Sequence, residues 1–350
     1  MFDYPEMSLA REDMLQQSEL YRPSEFWAEA STSIVQELCA HGVENFRRLP
    51  TPLGFFVPTY GSPGNSFSKA LSQRVLNPFR QQQGANNKPV LALEQFLEGQ
   101  LSALSDYRVF LAADRPDVPP YLHTFTESTV GAPVEQFEFD GRKFSRSALN
   151  YLLGLAFLKK HLNKERICTV MEIGGGFGTL GEILSHSATE DTRYIDLDIP
   201  PTSFAAQYYL SAALGYDHVA TYVQTRNLSA IDIESLPKAA VLCAWQIEKL
   251  RGQVDLFVNF ISFQEMEPHI VRNYLDQVER LGTRWVLLRN MREGKQKRKT
   301  GSVGVQTPIT TGDYEVMLPA YKLVEQNVHP FGYKTVDGYH SELMLFKRKA

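Results

Sequence analysis

The stretch of sequence that decides the fold is Val170-Met171-Glu172-Ile173-Gly174-Gly175-Gly176-Phe177-Gly178-Thr179-Leu180-Gly181. Apolar residues lead to an acid, four glycines then occupy five positions, and apolar residues at helical spacing follow. This pattern predicts a buried strand, a tight turn and the start of a helix. Glycine suits the turn because it adopts positive φ and lets the backbone contact a ligand. The sequence therefore predicts a nucleoside-binding turn in a Rossmann-like sheet.

The acid at Glu172 distinguishes between the cofactors that such a turn can bind. Residues 176–181 also fit the G-x-G-x-x-G pattern of dinucleotide-binding proteins, so a flavin or NAD enzyme is an alternative. A carboxylate here would repel a pyrophosphate, but it would attract the ammonium and sulfonium groups of S-adenosylmethionine. We therefore expect S-adenosylmethionine, bound by Glu172 and by the turn glycines Gly174, Gly175, Gly176 and Gly178.

Composition indicates a globular protein outside the membrane. The chain has 350 residues, of which 43% are apolar and 11% aromatic, and it has no apolar run long enough to span a bilayer. Its N-terminal sequence is acidic and lacks the features of a signal peptide, so we expect a cytoplasmic protein. The cysteines Cys39, Cys168 and Cys243 are expected to be reduced core thiols.

Charge gives no general attraction to nucleic acid, because the net charge is -4. One basic run, residues 289–299, is predicted to be a solvated loop. It lacks interleaved aromatic residues, which disfavours RNA binding. We therefore expect a small-molecule or glycan partner and no nucleic acid, while the sequence gives no indication of the oligomeric state.

The first 125 residues are predicted to be mostly helical and carry no cofactor motif. Helices are predicted near residues 24–40 and 92–105, separated by loops rich in Pro, Gly and Gln. We expect residues 1–125 to form a lid over the acceptor or an oligomerisation surface. Residues 126–350 are expected to form the cofactor-binding catalytic domain.

The second part of the chain alternates between predicted strands and helices. A helix over residues 145–162, capped by Ser145 or Ser147, precedes the glycine strand. Residues 215–237 are expected to be an irregular connection. Alternation of this kind predicts an α/β fold with a mainly parallel Rossmann-like sheet. Strands are predicted near residues 168–173, 193–197, 240–244, 254–260 and 284–289, with a terminal antiparallel hairpin from 321–329 and 341–347.

Residues at the ends of the predicted strands are candidates for cofactor binding, because the carboxyl ends of parallel strands meet at one edge of the sheet. Asp196 and Asp198 alternate along the second strand, and either could accept hydrogen bonds from the ribose hydroxyls. Trp245 and Gln246 follow the third strand and are predicted to flank the adenine, although Trp245 could equally pack in the helix layer. Asn259 is predicted to face the methionine part of the cofactor.

The segment after the fourth strand is predicted to hold the acceptor and the catalytic base. Ser262 and Gln264 are candidate acceptor-binding residues, and Glu265 and His269 are candidate bases. A structural reading competes with this one, since Ser262 and Glu265 have the spacing of a helix capping box. No tight cluster of metal ligands is visible, so no metal is predicted.

Several segments in combination resemble the sugar O-methyltransferase family of the class I methyltransferases. They are residues 172–178, 198–200 and 255–259, followed by 262–266. Residues 127–133 and Asn290 are also similar, so the resemblance implies that Glu127 and Asn290 contribute to the acceptor site. The resemblance runs from about residue 125 to the C-terminus, and the preceding residues depart from it.

This resemblance implies an S-adenosylmethionine-dependent methyltransferase with a terminal antiparallel hairpin at the edge of its sheet. Its expected acceptor is a hydroxyl of a sugar or of a glycosylated small molecule, methylated by in-line transfer with a general base. A non-sugar natural product, methylated at a phenol, nitrogen or carbon atom, remains an alternative.

Overall fold

The computed structural model describes residues 2–61, 69–84, 87–162, 165–187, 192–298 and 304–349. Its helices are α1 (Pro5–Leu15), α2 (Glu25–His41), α3 (Pro50–Phe55), α4 (Lys69–Gln83), α5 (Lys88–Leu97), α6 (Gln100–Ala113), α7 (Arg146–Lys159), α8 (Thr179–Ser187), α9 (Thr202–Leu214), α10 (Tyr222–Thr225), α11 (Pro268–Arg280) and α12 (Thr311–Met317). Short 3₁₀ helices cover Glu19–Tyr21, Val43–Arg48, Leu122–Thr124, Tyr216–His218, Ile233–Ser235, Ala244–Lys249 and Ser262–Glu265.

The strands form one large sheet and two small pairs. They are β1 (Phe137–Phe139), β2 (Arg142–Phe144), β3 (Thr169–Ile173), β4 (Arg193–Asp198), β5 (Val219–Ala220), β6 (Ile231–Asp232), β7 (Ala239–Cys243), β8 (Leu250–Arg251), β9 (Leu256–Phe260), β10 (Trp285–Met291), β11 (Tyr321–Asn327), β12 (Tyr333–Lys334) and β13 (His340–Arg348). β1 pairs with β2, and β6 pairs with β8. The large sheet has the order β11-β13-β10-β9-β3-β4-β7-β5, and β12 pairs with β13.

The order and direction of the strands identify the fold. The strands from β10 to β5 in this order run parallel, whereas β13 runs antiparallel to both β10 and β11. The predicted central strands and the terminal antiparallel hairpin are therefore confirmed. The last strand, β13, thus lies antiparallel between β10 and β11 at one end of a parallel sheet. This is the Rossmann-like arrangement of class I methyltransferases, and this chain has that α/β fold.

Helices cover both faces of the large sheet, so its central strands are buried over their whole length. The helix α7, which leads into the glycine strand, is buried throughout residues 147–159. Its N-cap is Ser145, whose hydroxyl accepts a hydrogen bond from the Ala148 backbone N–H at 3.2 Å. The predicted start of this helix is thus confirmed, with Ser145 rather than Ser147 as the cap.

The N-terminal helices pack on the helices that cover the sheet, as α6 does on α7. Ile34, Phe46 and Phe110 belong to one apolar cluster together with Val170 of β3 and Val258 of β9. Residues on both sides of position 125 therefore share one hydrophobic core. The division of the chain into a lid and a catalytic domain at this position stays a prediction. None of the helices described is both long enough and apolar enough to cross a membrane.

One helix prediction is wrong and one region is more regular than expected. The helix predicted over residues 92–105 is two helices, α5 and α6, because Gly99 between them adopts a left-handed conformation with φ of 83°. Residues 215–237 contain β5, α10 and β6 instead of an irregular connection. The sequence carried a signal for α10, since Thr221 and Gln224 form a capping box at its start.

The basic run also differs from the prediction of a solvated loop. Its first residues, Arg289 and Asn290, lie in β10 and are buried. The Arg289 guanidinium donates to the Phe331 carbonyl at 2.8 Å, so this cation is part of the core. Lys299, at the end of the run, lies outside the described residues.

Candidate functional site

A cavity lies at the edge where the parallel strands end. Its walls come from the glycine turn after β3, the end of β4, the segment after β9, the helix α7 and the N-terminal region. Because strand order reverses on either side of β3, this is the position at which open α/β sheets bind their ligands. Six predicted site residues line the cavity: Gly174, Gly175, Gly176, Asp198, Ser262 and Glu265.

Gly175 packs against acidic and phenolic groups that leave no room for a side chain. A Cβ atom there would lie 2.6 Å from Asp196 Oδ1, 2.8 Å from the Tyr194 hydroxyl and 2.9 Å from Glu172 Oε2. All three partners are fully buried, so they have no space to move away. The glycine at this position is therefore required by the close approach of the turn to a buried acidic cluster, formed by Glu172, Asp196 and Asp198.

Glu172 is fully buried at the end of β3 and does not line the cavity. Its carboxylate accepts hydrogen bonds from the hydroxyls of Tyr151 at 2.7 Å and Tyr194 at 2.6 Å. Burial nevertheless dominates, and it raises the pKa of Glu172 to about 7. Tyr151 also lines the cavity, so it connects this buried carboxyl group to the ligand space.

The structure distinguishes between Asp196 and Asp198 of β4, which the sequence alone could not do. Asp196 is fully buried, and among the described residues neither of its carboxyl oxygens has a well-formed hydrogen bond. Burial, with the nearby charges of Asp198 and Glu172, raises the pKa of Asp196 well above its usual range. The backbone N–H of Gly175 lies nearby and opposes the rise of this pKa only in part. Such a carboxyl group is costly unless it is protonated or faces a positive charge.

Asp198 is the aspartate that reaches the cavity. Its carboxyl oxygens accept hydrogen bonds from the backbone N–H groups of Ile199 at 2.7 Å and Gly176 at 3.3 Å. Burial raises the pKa of Asp198 to about 7 in spite of these two donors. The contact with Gly176 fixes the carboxylate beside the glycine turn, where it can accept further hydrogen bonds from vicinal hydroxyls.

Glu265 projects into the same cavity from the 3₁₀ helix after β9. Its carboxylate accepts a hydrogen bond from the indole N–H of Trp27 at 3.0 Å and pairs with the Lys295 ammonium at 2.6 Å. The capping-box reading of Ser262 and Glu265 is wrong, because the following helix α11 begins after Glu267. Ser262 instead donates to the Ile173 carbonyl at 3.1 Å.

Asn259, Gln264 and Asn290 stabilise the strand ends without lining the cavity. The Asn259 amide donates to the Ile173 carbonyl at 2.9 Å and to the Ser262 hydroxyl at 2.6 Å. Asn290 accepts from the Gln264 backbone N–H, and the Gln264 side chain accepts from the Met291 backbone N–H. These residues connect β3, β9 and β10 and fix Ser262 beside the glycine turn, and their predicted contact with a ligand stays a prediction.

The other predicted site residues lie outside the cavity for identifiable reasons. Gly178 provides space for Leu210, and Trp245 packs edge-on against Tyr222 in the core. Gln246 is fully buried between the Cys243 backbone N–H and the Thr225 hydroxyl. Glu127 forms a buried ion pair with Arg47, and His269 is exposed in the first turn of α11. Gly178, Trp245, Gln246, Glu127 and His269 thus do not line this cavity, and their assignment to the site stays a prediction.

Several cavity residues were missed by sequence reasoning. Trp27 and Phe55 come from the N-terminal region, and no local pattern indicates that these helices reach the strand ends. Asn150 and Tyr151 lie on the helix α7, in an apolar pattern that predicts only a core face. The Asn150 amide is 6% exposed and forms no side-chain hydrogen bond with the described residues, which leaves it available to a ligand. In the described part of the chain, no three His, Cys, Asp or Glu side chains are arranged to hold a metal ion.

Comparison with solved structures returns methyltransferases. The mitomycin 7-O-methyltransferase MmcR matches with a TM-score of 0.36 and 11% identity, over 77% of this chain and 60% of its own length. Magnesium protoporphyrin IX methyltransferase ChlM from Synechocystis PCC 6803, with bound SAH, matches with a TM-score of 0.40 and 12% identity, over 70% of this chain and 100% of its own. A SAM-dependent methyltransferase from Aquifex aeolicus matches with a TM-score of 0.38 and 15% identity, over 58% and 94%.

The chain thus spans less than two thirds of the length of MmcR. No protein-family model matches the sequence, and no curated protein matches it. The resemblance to sugar O-methyltransferases therefore stays a prediction from the residues that carry it.

Proposed function

We propose that this protein is an S-adenosylmethionine-dependent methyltransferase that methylates a hydroxyl group of a sugar or of a glycosylated small molecule. The observation that carries the proposal is the acidic cluster beneath the glycine turn, at the switch point of a class I methyltransferase sheet. Cofactor chemistry explains the cluster, because a ligand with ammonium and sulfonium charges compensates buried carboxylates.

The residues of the cavity fit this cofactor. Gly174, Gly175 and Gly176 let the backbone approach the ligand, and Asp198 offers a carboxylate to the two ribose hydroxyls. Among the described residues, Asp196 has no well-formed hydrogen bond to either carboxyl oxygen, so a cationic ligand nearby would stabilise its ionised form. A dinucleotide fits poorly, because its pyrophosphate would lie beside the Asp198 carboxyl group, with Glu172 and Asp196 buried behind it.

When bound, S-adenosylmethionine supplies a methyl group on a positively charged sulfur, and the carbon–sulfur bond breaks as a carbon–oxygen bond to the acceptor forms. The protein has to hold the acceptor hydroxyl in line with that bond and remove its proton. We assign proton removal to Glu265. Asp198 and Glu265 both line the cavity, and Asp198 is assigned to the ribose, so Glu265 is the carboxylate that is left for the acceptor. Trp27 and Lys295 fix its orientation.

Cofactor binding is tested most directly by calorimetric titration with S-adenosylhomocysteine, NAD and FAD. We expect S-adenosylhomocysteine to bind and the two dinucleotides not to bind. Asp198→Ala should weaken binding at least about tenfold, because it removes a charged acceptor for the ribose hydroxyls. The control is Asp217→Ala, because Asp217 is exposed. Asp255→Ala would be unsuitable, because the Asp255 carboxylate supports β3. Binding of NAD or FAD in place of S-adenosylhomocysteine would refute the proposal.

The acidic cluster also predicts a pH dependence of cofactor binding. In the ligand-free protein, burial raises the pKa of both Glu172 and Asp198 to about 7, so their carboxyl groups are mostly protonated at pH 6 and ionised at pH 8. A cationic cofactor favours the ionised forms, so affinity for S-adenosylmethionine should rise from pH 6 to pH 8, by about tenfold for each proton released.

Calorimetry at pH 6, 7 and 8, in buffers with different ionisation enthalpies, measures both the affinity and the protons released. S-adenosylhomocysteine lacks the sulfonium charge and should show a smaller dependence. Equal affinity for S-adenosylmethionine at all three pH values would contradict the assigned role of the cluster.

A further inference from the structure

Aromatic rings from the N-terminal helices, from α7 and from β9 line the cavity near Glu265 and Glu172. Trp27 and Phe55 from the N-terminal helices meet edge to face, with ring centroids 5.3 Å apart. Tyr151 and Phe260 stack with centroids 4.9 Å apart and ring planes 7° apart. All four residues line the same cavity. We call these four residues the aromatic wall.

The polar atoms of the aromatic wall are already engaged within the protein. The indole N–H of Trp27 donates to Glu265, and the Tyr151 hydroxyl donates to Glu172. These two side chains therefore offer a ligand mainly their ring surfaces. Ring surfaces bind apolar faces, and they add stacking to the free energy of burying them.

The charges around the cavity disfavour a phosphorylated acceptor. Among the described lining residues, Arg22 is the sole Lys or Arg, and it is exposed with its Nε donating to the Gln17 carbonyl. Asp198 and Glu265 both line the cavity as acids. A nucleotide-linked sugar would bring a diphosphate against these carboxylates with little positive charge to compensate it.

We infer that the acceptor carries a flat aromatic group that stacks on the aromatic wall, as in an aryl glycoside, while its hydroxyl reaches Glu265. This inference rests on the proposed methyl transfer and selects an acceptor class within it. Nucleotide sugars fall outside that class, because the described lining offers little positive charge to compensate a diphosphate. A free sugar can stack the aliphatic C–H face of its ring, but it lacks the larger aromatic face and should bind more weakly.

Matched acceptors test this inference on the full-length protein loaded with S-adenosylhomocysteine. The 2-naphthyl, methyl and uridine diphosphate derivatives of one sugar are titrated by calorimetry, with glucose, galactose and rhamnose used in turn. For at least one sugar, we expect the naphthyl glycoside to bind about tenfold or more tightly than the methyl glycoside, with the nucleotide sugar weakest. If no naphthyl glycoside binds better than its methyl and nucleotide counterparts, the inference is overturned.

Variants test whether the aromatic wall causes the preference for the naphthyl glycoside. Phe55→Ala should weaken binding of the naphthyl glycoside about tenfold and leave the affinity for S-adenosylhomocysteine unchanged, because the Phe55 ring packs on Trp27, whose indole N–H donates to Glu265. Phe96→Ala, at an exposed site outside the cavity, is the matched control and should change neither affinity. An unchanged naphthyl affinity in Phe55→Ala would contradict the inference alone, whereas failure of the parent protein to bind S-adenosylhomocysteine would contradict the proposed function.

Discussion

Replacing Arg47 by methionine is expected to lower the free energy of unfolding by about 3 to 5 kcal/mol, because it leaves a buried carboxylate without its cation. The Arg47 guanidinium pairs with Glu127 at 2.8 Å, and both side chains are at most 1% exposed. It also donates to the Val130 carbonyl and lies 4.9 Å above the ring of Phe177 in the glycine turn. This one side chain therefore connects the N-terminal region to the glycine turn.

Urea denaturation monitored by circular dichroism measures this loss. Arg48→Met is the matched control, because Arg48 is adjacent but exposed, and it should change the free energy of unfolding by less than about 0.5 kcal/mol. Adding Glu127→Gln to Arg47→Met should recover part of the loss, since the unpaired charge is then absent. Equal stability of Arg47→Met and Arg48→Met would show that the ion pair contributes nothing.

The fold was predictable because its signals are local. The run from Glu172 to Gly178 combines a strand end, an acid and a turn within seven residues, and each feature follows from side-chain chemistry at adjacent positions. The wrong prediction of one helix over residues 92–105 shows the limit of this reasoning. Gly99 is tolerated in a helix pattern, and only the packing of α5 and α6 shows that it ends one helix and begins another.

The site was only partly predictable, because much of it is formed by distant contacts. Strand periodicity places Asp196 and Asp198 on the same face of the sheet. Asp198 differs from Asp196 because it is the last residue of β4, where the strand reaches the cavity. Glu265 could be placed near the cavity from its position after β9, but its partner Trp27 is 238 residues away in sequence. No pattern within either segment indicates that contact.

Glu265→Gln should lower kcat by about 10²- to 10⁴-fold, the usual contribution of a general base, because the amide cannot accept the acceptor proton. The substitution keeps the size of the side chain and an acceptor for the Trp27 indole, so S-adenosylhomocysteine should still bind with similar affinity. Turnover is measured with labelled methyl donor and an acceptor that binds the protein. Glu267→Gln is the matched control, because Glu267 does not line the cavity and its carboxylate accepts hydrogen bonds from the Gln306 and Thr307 backbone N–H groups. The kcat of this variant should be unchanged. His269→Ala should also retain turnover, because His269 is exposed outside the cavity. Turnover by Glu265→Gln within about threefold of the parent protein, with cofactor binding intact, would show that another group removes the proton.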